Sequence, residues 1–212
     1  MTRAPLCALL LLTLAPACAR NFKPTLTPKD TIGPRDYGTI LDLWTRTDQA
    51  FLAFEHKITV KATMITPMLR LAYAARFPEV YGYGGQVTRS EMKDAGTPEE
   101  TLNFFVACYT AQFKWNDLHK TDSIWHVSIQ RLQDGSKDAE ITIDARAIEK
   151  VKIDENMLTI YPYLTPFDSG YIVRFPLSTL DGAMLIKDGR NRLRMRIASS
   201  FAEAAMQWEL EP

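Results

Sequence analysis

The residues best equipped for chemistry in this chain are three histidines, His56, His119 and His126, a cysteine in the body of the chain, Cys108, and an alternating run of arginines, Arg192, Arg194 and Arg196. Zinc and related metals take His, Cys and carboxylate ligands at close, regular spacings, because the first coordination shell must converge on one point. His119 and His126 straddle a segment that reads as a loop running into a strand, and neither they nor Asp117 and Asp122 show the helical His pairing or the Cys/His spacing of zinc sites. No metal and no cofactor are expected. His56 falls on the apolar face of a strand, where one hydrogen bond satisfies a buried imidazole. Nucleophilic catalysis needs an activated group, and the candidates are poor. There is no G-x-S-x-G turn, Ser169-Gly170 reads as a plain turn, and Cys108 lies in an apolar run where a thiol is buried and inert. Gly82, Gly84 and Gly85 do not follow a strand and open a helix, so they form no phosphate loop. Carboxylates are spread over polar faces and loops. An envelope hydrolase with a glycosidase-type acid pair therefore ranks last among the functional readings, and a non-enzymatic protein ranks first.

Two groups of residues remain as binding candidates. Arg192, Arg194 and Arg196 alternate with Leu193, Met195 and Ile197, which sends three guanidinium groups out of one strand face. Lys187 and Arg190 extend the basic run, and such a ladder suits a phosphate or an acidic glycan. The next strand turns Glu203, Gln207 and Glu209 outward, opposite in sense to Ala204, Met206, Trp208 and Leu210. In a hairpin these acids meet the arginines in exposed cross-strand pairs of roughly 0.2–1 kcal/mol each. That structural pairing needs no ligand and is favoured. The second group is aromatic: Tyr81 and Tyr83 among glycines, and Tyr161-Pro162-Tyr163 followed by Pro166-Phe167. Tyrosines on loops offer flat faces to sugar rings or partner proteins. The alternative is that Tyr161 and Tyr163 pack one sheet face while Pro162 marks an edge strand.

The elements that must position these residues are mostly strands. Phe54, His56, Ile58, Val60, Ala62 and Met64 alternate with Glu55, Lys57, Thr59, Lys61 and Thr63, the pattern of a strand with one face on a core and one in water. Asn103 to Ala111 is apolar on both faces and reads as a central strand. Further strands are predicted at Trp125–Gln130, Glu140–Ala147, Met157–Tyr163, Tyr171–Phe175, Arg192–Ala198 and Ala204–Leu210, with turn chemistry at Asp134-Gly135, Asp181-Gly182 and Asp188-Gly189. Thr66-Pro67 opens a helix, and a helical insertion is expected over about 66–96, with a second short helix at Ser90–Ala95. Many short strands between turns predict a mainly β, antiparallel two-sheet sandwich. In its aromatic-rich strands, short turns and final Met206-Gln207-Trp208-Glu209-Leu210 strand, the body is loosely similar to immunoglobulin-like sandwiches. That resemblance implies a fold and no function.

The N-terminus supplies an address. Arg3 precedes an apolar stretch, Ala4–Ala15, too short for a permanent membrane helix of roughly 20 residues. A charged start, an apolar core and small residues after it describe a secretory signal. Ala15-Pro16-Ala17-Cys18 resembles the lipobox of bacterial lipoprotein precursors. The resemblance implies residues 1–17 as signal peptide and Cys18 as the acylated mature N-terminus. Cleavage after Ala17 or Ala19, giving a secreted or soluble periplasmic protein, stays open. Residues 18–36, with Pro24, Pro28 and Pro34, are expected to form a semi-stiff tether, and residues 37–212 the sandwich domain.

Composition narrows the partners. The chain has 212 residues, 46% hydrophobic and 24% charged, enough for one domain with a real core. Its 25 basic residues balance its 25 acidic ones, and removing 1–17 takes away Arg3, leaving the mature chain near −1. Nothing here pulls toward nucleic acid. The expected protein is a lipid-anchored envelope module, membrane-bound through its lipid, in the outer membrane by preference since Ala19 is no retention signal. Its partner is an envelope protein or, in the alternative, a glycan or small ligand at the aromatic loops.

Overall fold

The computed structural model describes residues 22–26, 31–81 and 100–212, with the backbone course alone for 77–81. Among these, nine strands build two sheets. The first contains β1 (Thr45–Leu52), β2 (Glu55–Ile65), β3 (Thr101–Thr110), β6 (Ala147–Val151) and β7 (Ser169–Pro176), in the order β1-β2-β3-β7-β6. The second contains β4 (His126–Leu132), β5 (Ala139–Asp144), β8 (Asn191–Ala198) and β9 (Glu203–Leu210), in the order β5-β4-β8-β9. Every pairing is antiparallel. The protein is a mainly β, antiparallel two-sheet sandwich with a helical insertion.

Side-chain alternation explains the layers. Val60, Ala62 and Met64 of β2 register with Cys108, Val106 and Phe104 of β3. These face the second sheet, where Phe104 meets Trp208 at 5.1 Å. The opposite face of the same strands carries Lys61, Thr63, Ala107 and Phe105, and it too is covered. β3 is therefore the middle strand of five, buried on both faces, as its doubly apolar pattern predicts. Cys108 lies in it as a free thiol, and burial pushes its pKa up, which keeps it protonated and unreactive. The outer edges β1 and β9 lie side by side: Arg46 Nε donates to the Gln207 carbonyl at 2.9 Å, and Asp48 accepts from the Ala205 amide at 2.7 Å. The β9 edge thereby loses some of the unpaired backbone that invites strand addition, since side chains of β1 take up its Gln207 carbonyl and Ala205 amide.

Among the described residues, three α-helices cap and flank this frame. α1 (Tyr37–Trp44) buries Tyr37, Ile40, Leu41 and Trp44, one helical face. The Trp44 carbonyl accepts from Trp208 Nε1 at 2.8 Å, satisfying a donor that is costly to bury alone. α2 (Pro67–Tyr81) starts as its Thr-Pro signal predicts, with Thr66 Oγ1 accepting from the Leu69 amide. The expected helix at Ser90–Ala95 and the rest of the insertion beyond 81 lie outside the described residues. α3 (Glu155–Ile160) is capped by Asp154, whose Oδ1 accepts from the Met157 amide at 3.0 Å.

Several expectations are corrected. The strand predicted at Met157–Tyr163 is the short helix α3 and its exit, because an Asp N-cap opens the segment and Pro162 offers no ladder donor. The stretch predicted as one strand over Glu140–Ala147 is split between β5 and β6, which belong to different sheets. α1 and β1 precede the first strand expected. Phe54 is not on a core face: it sits at the β1–β2 hairpin turn, and a register shift at Ala50/Phe51 accompanies that turn. His56 consequently leaves the inner face, stacking on Tyr109 at 5.5 Å and bonding Thr59 Oγ1 at 2.8 Å. In the tether, Phe22 and Thr25 are buried against the domain, and the Pro24 carbonyl accepts from the Glu211 amide at 2.9 Å. The described part of that segment, 22–26, is thus docked rather than spacing, because Phe22 gains more from the core than from water.

Candidate functional site

The arginine ladder resolves into structural contacts. Arg192 and Arg194 register with Glu209 and Gln207, and Arg196 with Ala205. Arg196 grips Glu203 with two hydrogen bonds, 2.7 and 2.6 Å, holding that carboxyl below its ordinary range. Arg194 Nε donates to Gln130 at 2.8 Å, and Arg192 bonds the Ser136 carbonyl while standing 3.7 Å from Glu209. The guanidinium groups knit β4, β8 and β9 together, and they converge on no common point. His126 pairs with exposed Asp144 at 2.9 Å, and the His119 ring lies 6.0 Å from Tyr171. Among the described residues no group of three or more His, Cys, Asp and Glu gathers as a metal site would require.

Tyr161 and Tyr163 are brought together, but inward. Tyr161 stacks on Phe105 with centroids 4.0 Å apart and planes 12° apart, and its ring lies 5.8 Å from that of Tyr163. Phe105 has room to lie flat because Gly170 adjoins it: a Cβ there would come within 3.0 Å of Val151 and 3.3 Å of Phe105. Tyr163 shares a 2.6 Å hydrogen bond with Thr63 Oγ1. Burial raises the pKa of both phenols, so they are neutral. The loop behind them is pinned by Asp168, whose Oδ2 accepts from Lys61 Nζ at 3.2 Å, from the Thr165 amide at 2.7 Å and from Thr165 Oγ1 at 2.9 Å. Tyr81 ends α2 with its side chain undescribed, and Tyr83 and Cys18 lie outside the described residues.

Over this floor opens a pocket of about 250 Å³ between α2 and α3. The sheet contributes Ile65, Val151 and Ile172. Leu69, Arg70 and Tyr73 come from α2, Met157 and Ile160 from α3, Tyr37 from α1 and Tyr161 from the exit of α3. The Tyr37 hydroxyl donates to the Ile160 carbonyl at 2.6 Å, tying α1 to α3 beside it.

A second feature was missed by the strand reading. The β1–β2 hairpin tip is Phe51-Leu52-Ala53-Phe54, four consecutive exposed apolar residues, and Phe54 is 103% exposed. Ala53 stands at φ 53°, a left-handed position where Gly or Asn is the ordinary choice. Phe113 (82% exposed) and Phe167 (73%) reach the same end of the sandwich from the loops after β3 and before β7. Ring contacts run from Phe51 to His56 (5.3 Å), from His56 to Tyr109 (5.5 Å) and from Tyr109 to Phe167 (6.5 Å). The sequence signal was the absence of turn residues in Phe-Leu-Ala-Phe. A hairpin tip without Gly, Asn or Asp is anomalous unless the apolar groups are used.

Fold and site together define a two-sheet sandwich with an aromatic end and a separate apolar pocket. No family model matches the chain, and neither curated proteins nor solved structures give a significant match.

Proposed function

We propose that this protein is a non-enzymatic envelope module, lipid-anchored through Cys18, that docks a partner protein with its aromatic end. The observation carrying the reading is the run Phe51–Phe54, exposed throughout and continued by Tyr109, Phe113 and Phe167. Exposed apolar runs of this kind invite aggregation and are tolerated where a partner covers them. Each Phe buried in a partner contributes roughly 1.5–3 kcal/mol, and aromatic anchors of this type dominate interface energetics.

The position of the patch supports the orientation. Phe22 to Leu26 lie beside Glu211, at the end of the sandwich opposite the hairpin tip. An anchor at Cys18 reaches at most about 14 Å from Phe22. The 11 residues of β2 span about 36 Å, so the aromatic end projects away from the anchoring bilayer. An envelope component approaching from the far side meets it first.

The test is a photo-crosslinking amino acid at position 54, with position 180, a singly exposed leucine away from that end, as control. The expected result is one discrete protein adduct from position 54, absent from 180 and lost in a Phe113→Ser/Phe167→Ser background with an unchanged melting temperature. Adducts equal at both positions, or untouched by the double substitution, would refute docking at this end. Fractionation of Cys18→Ser beside wild type tests the anchor separately: release from the membrane is expected, and unaltered location would refute acylation.

A further inference from the structure

The end of the sandwich opposite the aromatic tip carries an apolar feature of its own. The connection from Pro176 of β7 to Asn191 of β8 lies there, because Pro176 registers with Thr101 and Asn191 with Leu210. Within it Leu180 is 110% exposed and Met184 49% exposed. We infer that this Leu180 turn touches the bilayer in which Cys18 is anchored, seating its two apolar side chains in the lipid interface. The contact rests on the anchor proposed above and adds to it: the lipid tethers the domain, and the turn sets its orientation.

Local structure does not ask for a leucine here. The Gly182 amide donates to the Thr179 carbonyl at 3.1 Å, and Gly182 takes the left-handed position at φ 85°. These close a turn whose two central residues are Leu180 and Asp181, places that polar side chains ordinarily fill. The turn stands on a firm base. Ser178 bridges to Met184, the Thr179 amide donates to the Ala183 carbonyl at 2.9 Å, and the Leu185 amide donates to the Leu177 carbonyl at 2.7 Å. Arg131 donates to the Met184 carbonyl, and the Leu185 side chain is buried in the core. Leu180 is therefore presented on a preformed support, which lowers the ordering cost of any contact it makes.

Position chooses the occupant. The Pro24 carbonyl accepts from the Glu211 amide at 2.9 Å, and Glu211 follows Leu210, the register partner of Asn191. The segment leading back to Cys18 thus docks at the same end as the turn. From Phe22 to Cys18 the chain reaches at most about 14 Å, which holds this end of the domain against the bilayer. Charge then sets the kind of contact. Asp181 and Asp188 offset Lys187 and Arg190 within the connection, and Lys187 is bound to Glu140 at 2.6 Å. A contact that is apolar and without excess charge fits a neutral lipid interface better than an acidic polymer. Asp181 is exposed beside Leu180, so the leucine enters the interfacial layer while its charged neighbour stays at head-group level.

The full-length lipidated protein, purified in detergent and reconstituted into phosphatidylcholine vesicles, tests this. An environment-sensitive fluorophore is attached at Asp181→Cys, which leaves Leu180 and Met184 in place, or for comparison at Phe54→Cys. Cys108 is buried and escapes labelling. Emission from position 181 should move to the blue and be quenched by lipid brominated near the head group, and emission from position 54 should do neither. Leu180→Asp with Met184→Asp should abolish the quenching at 181 while flotation with the vesicles and melting temperature stay unchanged. Flotation without quenching at 181, quenching equal at 181 and 54, or quenching that survives the double substitution would overturn the contact and leave the anchor standing. Failure of the unsubstituted protein to float would refute the anchor itself, and the contact with it.

Discussion

Asp168→Ala should be among the most destabilising single changes outside the sandwich core. The Asp168 side chain is 2% exposed and collects three donors: Lys61 Nζ, the Thr165 amide and the Thr165 hydroxyl. Removing one partner of a buried ion pair costs about 3–5 kcal/mol, because the other charge is left in a poor solvent. Lys61 keeps its 2.9 Å bond to the Tyr163 carbonyl and is 18% exposed, so water relieves part of that penalty. The lower limit, about 3 kcal/mol, is the expectation, and it is a large share of a domain's ~5–15 kcal/mol. Urea unfolding followed by tryptophan fluorescence reads it as a shifted midpoint at unchanged slope. Loss of near-ultraviolet circular dichroism should accompany it, since Asp168 anchors the loop that carries Tyr161 and Tyr163. Lys61→Met with Asp168→Leu removes both charges and should recover at least half of the loss. A cost below about 1 kcal/mol for Asp168→Ala, or a double variant as unstable as the sum of its singles, would refute the view that a buried pair holds this loop.

Acid should weaken the β8–β9 hairpin through Glu203. Arg196 holds its carboxyl below the ordinary 4.5, so the stabilisation is complete above that value and is lost as pH falls through the lowered folded-state pKa. Glu203→Gln should cost roughly 0.5 kcal/mol at neutral pH and close to nothing in strong acid, and an equal cost at both in urea melts would exclude the pairing. At the hairpin tip, Ala53→Gly should stabilise by about 0.5–1 kcal/mol, since an L-residue at φ 53° carries a left-handed penalty that exceeds the added unfolded-state freedom of Gly. A lower melting temperature for that variant would mean that the tip does not adopt this turn.

What the sequence alone determined is whatever follows from period and pairing chemistry. The doubly apolar run at Asn103–Ala111 dictated a strand covered on both faces, the alternation at Arg192–Ala198 and Ala204–Leu210 dictated a hairpin, and Thr66-Pro67 marked a helix start. The Arg–Glu contacts across β8 and β9 were likewise legible, because register makes opposite side chains such as Arg192 and Glu209, and diagonal ones such as Arg196 and Glu203, neighbours. α1 was passed over in the sequence reading, although Tyr37, Ile40, Leu41 and Trp44 fall on one helical face. Other features depended on long-range packing. Tyr161 and Tyr163 were visible as aromatic residues, but their turning inward depends on Phe105, Gly170, Thr63 and Lys61, which are distant in sequence. Phe22 left its proline-containing segment for a core that the segment itself does not contain. The aromatic end is the sharpest case. Phe54, Phe113 and Phe167 belong to three separate connections, and antiparallel pairing of β1, β2, β3 and β7 alone sets those connections at one end of the sandwich. Local propensity names the residues, and register across the sheet decides which of them become neighbours.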